Sequence, residues 1–158
     1  MHPNQELLKR FYTAFQKRDH AGMAACYHPE IEFSDPVFKD LKGFKAGAMW
    51  HMLCERGKDL VIEFSDLSAD DTTGRAHWEA HYTFSVTGQK VHNRIDASFE
   101  FKDGKIIRHT DDFNLTAWAG MALGLKGQLL GWAPPVQNAI RKNTLGGLDQ
   151  FIARNNLS

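Results

Sequence analysis

Val91-His92-Asn93-Arg94-Ile95-Asp96-Ala97-Ser98-Phe99-Glu100-Phe101-Lys102-Asp103-Gly104-Lys105-Ile106-Ile107-Arg108-His109-Thr110-Asp111-Asp112-Phe113 decides the fold. Two runs of alternating character, Val91 to Phe101 and Ile106 to Phe113, flank Asp103-Gly104. That dipeptide is the tight-turn chemistry of an antiparallel hairpin. Upstream, Gly74 to Val86 reads as a long strand turning at Thr87-Gly88, and Leu60 to Phe64 as a shorter one. The second half of the chain is therefore three or four long antiparallel strands.

The first half is helical. Leu7, Phe11 and Phe15 recur at four-residue spacing within Asn4 to Arg18, with Leu8 and Tyr12 beside them. Asp19 is a suitable N-cap for a short second helix that carries Met23, Cys26 and Tyr27 inward and ends at His28-Pro29. Ile31-Glu32-Phe33 forms a short strand leading to Asp35. Gly43 to Glu55 forms a third helix, with Phe44, Ala48, Met49, Met52 and Leu53 along one stripe. Helices followed by strands predict an α+β domain, with the helices on one face of a curved antiparallel sheet. Residues 1–114 make this core domain, and residues 115–158 a C-terminal helical extension. In the extension, Leu115 to Leu125 is helical, Pro134-Pro135 is expected to stop any helix, and Val136 to Ile152 is a further helix interrupted at Gly146-Gly147. The extension packs over the open end of the core or against a partner subunit, or Leu129 to Trp132 forms a lid.

Length and composition bound the function. The chain of 158 residues is 42% hydrophobic and 24% charged, enough for one domain with a real core. Lys plus Arg and Asp plus Glu balance at 19 each, so nothing favours nucleic acid or an acidic membrane as partner. Cys26 and Cys54 make neither a disulfide framework nor a zinc site. Met1-His2-Pro3-Asn4 does not open a signal peptide, and no apolar run spans a bilayer, so the expected location is cytoplasmic.

Asp35-Pro36-Val37 is the most reactive-looking corner. Proline bars helix and holds Asp35 extended, beside whatever core the helices build. A carboxylate near an apolar hollow loses water and its pKa rises, as a proton-transferring base requires. The same side chain also suits a turn, bonded to the backbone amides that follow.

Lys9 to Phe15, Arg18 to Met23, Asp35-Pro36-Val37, Ile95-Asp96, Phe99-Glu100-Phe101, Asp103 to Ile107 and Asp111-Asp112-Phe113 together resemble the nuclear transport factor 2-like superfamily, in its SnoaL-like and ketosteroid isomerase-like branch. The resemblance covers residues 4 to about 115. It implies a cone: a strongly bent sheet wrapped round three N-terminal helices, with a deep apolar pocket inside and a homodimer formed through the sheet. It also implies chemistry without cofactor or metal. In the isomerases the Asp before Pro-Val moves the proton, while a Tyr of the first helix and a protonated Asp of a later strand form the oxyanion hole. Asp35 matches the base. Phe11 stands at the tyrosine position, and Tyr12 is turned about 100° away from it round the helix. Asp96 matches the acid in one register, and Ala97 takes its place in the other.

Period two puts Ile107, His109, Asp111 and Phe113 on one face of the last strand, the inner face by resemblance. His109 and Asp111 would then form an acid/base pair. His77, Glu79 and His81 share the opposite, outer face, and one strand supplies too few ligands for a metal. Phe11, Phe15, Tyr27, Trp50, Trp78, Tyr82, Phe84, Phe99, Phe113 and Trp118 are expected to line the pocket or fill the core. Cys26, mid-helix among apolar residues, is buried and inert. Two functions follow. The chain binds a small hydrophobic molecule and acts on it by cofactor-independent acid/base catalysis of isomerase, cyclase, hydratase or lyase type. Asp35, His109, Asp111 and Asp96 are its candidate groups, with Tyr82 or Asp96 as the oxyanion donor. Alternatively it is a non-catalytic ligand-binding or protein-interaction module.

Overall fold

In the computed structural model, which describes residues 1–158, helices α1 (Pro3–Gln16) and α2 (His20–Ala25) are followed by strands β1 (Tyr27–Ser34) and β2 (Leu41–Lys42) and by helix α3 (Phe44–Arg56). Strands β3 (Val61–Ala69), β4 (Thr73–Thr83), β5 (Lys90–Lys102) and β6 (Lys105–Asp112) follow, and then helices α4 (Leu115–Ala122), α5 (Leu125–Leu130) and α6 (Pro134–Arg154). Helix α1 starts with Pro3 in its first turn and the His2 ring accepting from the Asn4 amide. Asp19 caps α2 through the Gly22 amide, as its position predicts. Leu7, Leu8, Phe11, Tyr12 and Phe15 are the buried stripe of α1.

The α+β class holds, and one six-stranded sheet runs in the order β2-β1-β6-β5-β4-β3. Its pairs are antiparallel with one exception. Strand β1 lies parallel to β6, because the two are joined by a long connection through α3 and β3 to β5 rather than by a hairpin. Tyr27 opens β1 instead of closing α2, and Pro29 is accommodated because the β1–β6 register shifts between Tyr27 and Glu32. Strand β4 stops at Thr83, short of Val86.

The inner face is read from burial. Ala76, Trp78 and Ala80 of β4, Ile95, Ala97 and Phe99 of β5, and His109 and Asp111 of β6 are all buried. Ile107 is the exception to the expected alternation. Glu100 pairs with Arg108 but Phe101 pairs with Ile106, so Ile107 is the extra residue of a bulge. Ile106 goes to the core in its place, at 0% exposure.

The extension differs more from expectation. Pro134-Pro135 begin α6 rather than stopping a helix, since a first-turn proline loses no hydrogen bond. The helix runs unbroken through Gly146-Gly147. Each glycine weakens it by about 1 kcal/mol, and burial of Leu148 and Phe151 in the common core offsets that cost. Leu125, Leu129 and Trp132 are more than half exposed. No helix is long and apolar enough to cross a membrane.

Candidate functional site

The parallel pairing of β1 and β6 assembles the site. Phe33 sits opposite His109 and Ser34 opposite Thr110, and Asp35 follows directly where β1 ends. Phe33, His109 and Asp111 are all buried, and Asp35 is half-buried just past the end of β1. The Pro36 corner then leads the chain away. Asp35 Oδ1 accepts from the amides of Val37 at 2.7 Å and Phe38 at 2.6 Å. The turn role and the proximity to the core are therefore both present. Burial pushes the Asp35 carboxyl up to about 7, the Phe38 amide opposes the rise, Asp111 adds to it and the Val37 amide opposes it. From α6, Arg141 Nε donates to the Pro36 carbonyl at 2.8 Å and ties the extension to this corner.

His109 is 0% exposed and Asp111 3%. His109 Nε2 meets Asp111 Oδ1 at 2.8 Å, and Trp78 Nε1 donates to the same oxygen at 3.2 Å. His109 Nδ1 meets the Tyr27 hydroxyl at 2.8 Å, and Trp50 Nε1 donates to that hydroxyl at 2.8 Å. An indole nitrogen only donates. Tyr27 thus receives from Trp50 and passes its own proton toward Nδ1, which leaves Nε2 to donate to Asp111. The protons of this chain are thereby assigned from partner chemistry. Four aromatic rings, Phe11, Phe33, Trp50 and Phe99, stand with centroids 4.4 to 6.0 Å from the imidazole. Both bonds to Asp111 land on Oδ1, and both bonds to Asp35 land on its own Oδ1. The second oxygen of each carboxylate takes no hydrogen bond from the chain. Across the sheet from Asp111 on the inner face stand the small side chains of Ala97 and then Ala76.

Tyr12 completes the set. Its hydroxyl is fully buried and is without a hydrogen-bond partner. Burial first, then Asp111 and Tyr27, hold the phenol protonated well above its usual range. An unpaired buried hydroxyl costs about 1–3 kcal/mol. Tyr82, in contrast, accepts from Trp118 Nε1 at 2.8 Å, and its own O–H is free to donate.

The remaining sequence-derived candidates divide. Asp96 lies on the outer face with its side chain 83% exposed, bonded to His77 at 2.9 Å. Ala97 takes the inner position, so the structure selects that register. Asp96 belongs to no inner group because the strand pleat turns it to solvent. Phe11, Phe15, Tyr27, Trp50, Trp78 and Phe99 are core residues in ring-to-ring contact. They fill the cone at that level rather than walling an open chamber. Tyr82, Phe84, Phe113 and Trp118 are half-buried and lie toward α4. Sequence reasoning missed Tyr12, Trp50 and Trp78 as polar participants. The signal available was their type: buried Trp and Tyr carry a donor that seeks a partner.

The sequence matches the SnoaL-like domain family over residues 8–109. No functionally curated protein matches it. Among solved structures, it is similar to a candidate polyketide cyclase from Xanthomonas campestris pv. campestris, at 22% identity, TM-score 0.63 and coverage of 75% of this chain and 96% of that one. It is similar to an NTF2-like protein of unknown function from Burkholderia pseudomallei, at 15% identity, TM-score 0.62 and coverage of 72% and 92%. It also resembles an LEH-like epoxide hydrolase of M. tuberculosis, at 18% identity, TM-score 0.61 and coverage of 85% and 95%. These likenesses establish the cone fold. With most of its length matched, helices inside the curve of the sheet and the hairpin at Asp103-Gly104 in place, the chain belongs to the SnoaL-like domain family.

Proposed function

We propose that the protein binds a small hydrophobic carbonyl compound at the α4 end of the cone and moves a proton on it without a cofactor. The observation that carries this reading is the buried His109–Asp111 couple, 2.8 Å long and near enough to Asp35 to raise the pKa of its carboxyl. Two carboxylates in unlike environments divide the labour of acid and base. Asp35, held near 7 by burial, is half-protonated at neutral pH and both removes and returns a proton. Asp111 is aimed by His109 and Trp78, and its unshared oxygen holds or relays that proton. Tyr12 and Tyr82 are the hydroxyls able to donate to an oxygen gaining negative charge. Phe84, Phe113 and Trp118 supply apolar contact. Isomerase, cyclase, hydratase and lyase reactions all fit this set, and the cyclase and epoxide hydrolase descriptions of two structural relatives support it.

A second reading, binding without turnover, draws on the close packing of rings from Phe11 to Trp78. A homodimer formed through the sheet and a reducing, cytoplasmic setting belong to the same proposal. The two free, buried cysteines support the latter.

Carbon-13 NMR titration of the Asp35 carboxyl tests the catalytic reading. It should titrate near 7 and fall in Asp111→Asn. Titration near the ordinary 3.9 overturns the reading. Mass spectrometry of the purified protein identifies any retained ligand. Its turnover by wild type and not by Asp35→Asn supports the enzyme, and retention without turnover supports the binding module. Sedimentation velocity reads the dimer.

A further inference from the structure

The outer face of the same sheet carries a second cluster, remote from the aromatic core. On β4, His77, Glu79 and His81 alternate outward, as their spacing predicts. The neighbouring strand adds what the row alone lacks: His92 of β5 is the direct cross-strand partner of His81. The two imidazoles stack with centroids 3.9 Å apart and planes 23° off parallel. Glu79 Oε1 meets His92 Nε2 at 2.6 Å. One ligand atom each of Glu79, His81 and His92 lie within 4.8 Å of one another. On the other flank, Glu63 of β3, directly opposite Glu79, has Oε1 3.5 Å from His81 Nε2.

We propose that Glu79, His81 and His92 bind a divalent transition-metal ion of the Zn²⁺ class, with Glu63 or water in the fourth position. Two imidazoles and a carboxylate are the donor set of such ions, whereas Mg²⁺ and Ca²⁺ take oxygen ligands. Bonds of about 2.0–2.1 Å set tetrahedral ligand separations near ~3.3 Å, so the atoms close by at most ~1.5 Å. Side chains that are 26 to 40% exposed have room for that adjustment and leave an entry path. The ligand carboxylate is also held from behind. Glu79 Oε2 meets His77 Nε2 at 2.9 Å, and His77 Nδ1 meets Asp96 Oδ1 at 2.9 Å. Such outer partners orient ligands in metal sites. One feature opposes a cation: Arg94 Nε stands 3.7 Å from Glu79 Oε1. Its side chain is 67% exposed and swings into solvent without loss of packing. The bound ion would staple β3, β4 and β5 together on the face away from the cone interior.

Isothermal titration of the full chain with ZnCl₂, at about pH 7.5 where free imidazoles are neutral, tests the site. The expected result is one saturable site per chain that MgCl₂ does not compete for. His81→Ala and His92→Ala should each weaken it by at least ~100-fold, and Asp96→Ala by about tenfold as an outer partner. Co²⁺ in place of Zn²⁺ should give the intense visible absorption of tetrahedral coordination, and His92→Ala should abolish it. His51→Ala, in the stacked His20–His51 pair elsewhere on the surface, should leave both readouts unchanged. No saturable site below ~1 mM, unaltered affinity in His81→Ala and His92→Ala, or loss of binding in His51→Ala overturns the proposal.

Discussion

Two histidine–carboxylate couples lie on opposite faces of one sheet, and they are almost the same length. His109 and Asp111, inside, are 2.8 Å apart, while His77 and Asp96, outside, are 2.9 Å apart. Their side chains are 0% and 2% exposed in the first couple and 27% and 83% in the second. Distance therefore says little about what either couple does. In water an ion pair of this length contributes about 0–1 kcal/mol, because solvent screens it and holds each partner equally well. In a dry core each partner is committed to the other, since removing one strands the other without water. The outer couple is free to serve an ion or a proton from solvent. The inner couple is a fixed part of the architecture that aims one carboxylate oxygen.

The most direct way to break this comparison is to delete a partner on each side. Asp111→Ala and His109→Ala should each cost about 3–5 kcal/mol in urea denaturation, and His77→Ala under about 1 kcal/mol. Equal losses would show that burial does not separate the two couples. Asp35 extends the contrast to pH. Its folded pKa of about 7 lies above the unfolded value of about 3.9, so the native state holds this proton more tightly. Its contribution to stability is therefore present below about pH 4, falls as pH rises through 7, and is flat beyond. The drop should be about 2–4 kcal/mol, at up to about 1.4 kcal/mol per pH unit. Asp35→Asn retains an oxygen for the Val37 and Phe38 amides and has no proton to lose. It should be the more stable protein at pH 8, with this part of the slope gone. A slope unchanged in Asp35→Asn would place the titration elsewhere.

Tyr27→Phe tests the chain that fixes the inner imidazole. The change removes one oxygen, leaving Trp50 Nε1 without an acceptor and His109 Nδ1 without a donor. The expected cost is about 2 kcal/mol. Tyr12→Phe is the control, since the Tyr12 hydroxyl has no partner to strand, and it should leave stability unchanged or raise it. If Tyr27→Phe is as mild as Tyr12→Phe, the assigned hydrogen bonds do not hold His109.

Part of this arrangement was legible in the residues. Asp103-Gly104 marks the hairpin, Pro36 marks the corner that carries Asp35, and period two puts His109 and Asp111 together. Three features were not. The bulge at Ile107 has no turn residue to announce it; Ile106 and Ile107 are the same amino acid, so only pairing tells which faces in. The approach of Asp35 to Asp111 depends on the parallel contact of β1 with β6, far apart in the sequence, which local pattern does not encode. Pro134-Pro135 reads equally as a stop or as a first turn, and only the burial of Leu148 and Phe151 decides for a helix. The residues alone allow Asp96 two registers, and its exposure, with Ala97 buried, decides for Ala97 inside.

The smallest expected effect lies on the outer face and sharpens the comparison through salt. Hydrogen bonds to Asp96 and Glu79 raise the His77 pKa above its ordinary value of about 6.5. The stability this gives is complete below about pH 6.5 and is lost as pH rises through the folded pKa. Asp96→Asn removes the larger of the two causes, so the step should shrink in that variant. The step should also shrink in 1 M NaCl, where the Debye length is about 3 Å, because both side chains meet solvent. The Asp35 step should survive the same salt, since burial rather than a distant charge is its first cause. Two pH-dependent stability steps, one erased by salt and one indifferent to it, would be the signature of one sheet with a wet face and a dry face. If salt erased both, Asp35 would be a surface carboxylate and the inner pairing would lose its chemical meaning.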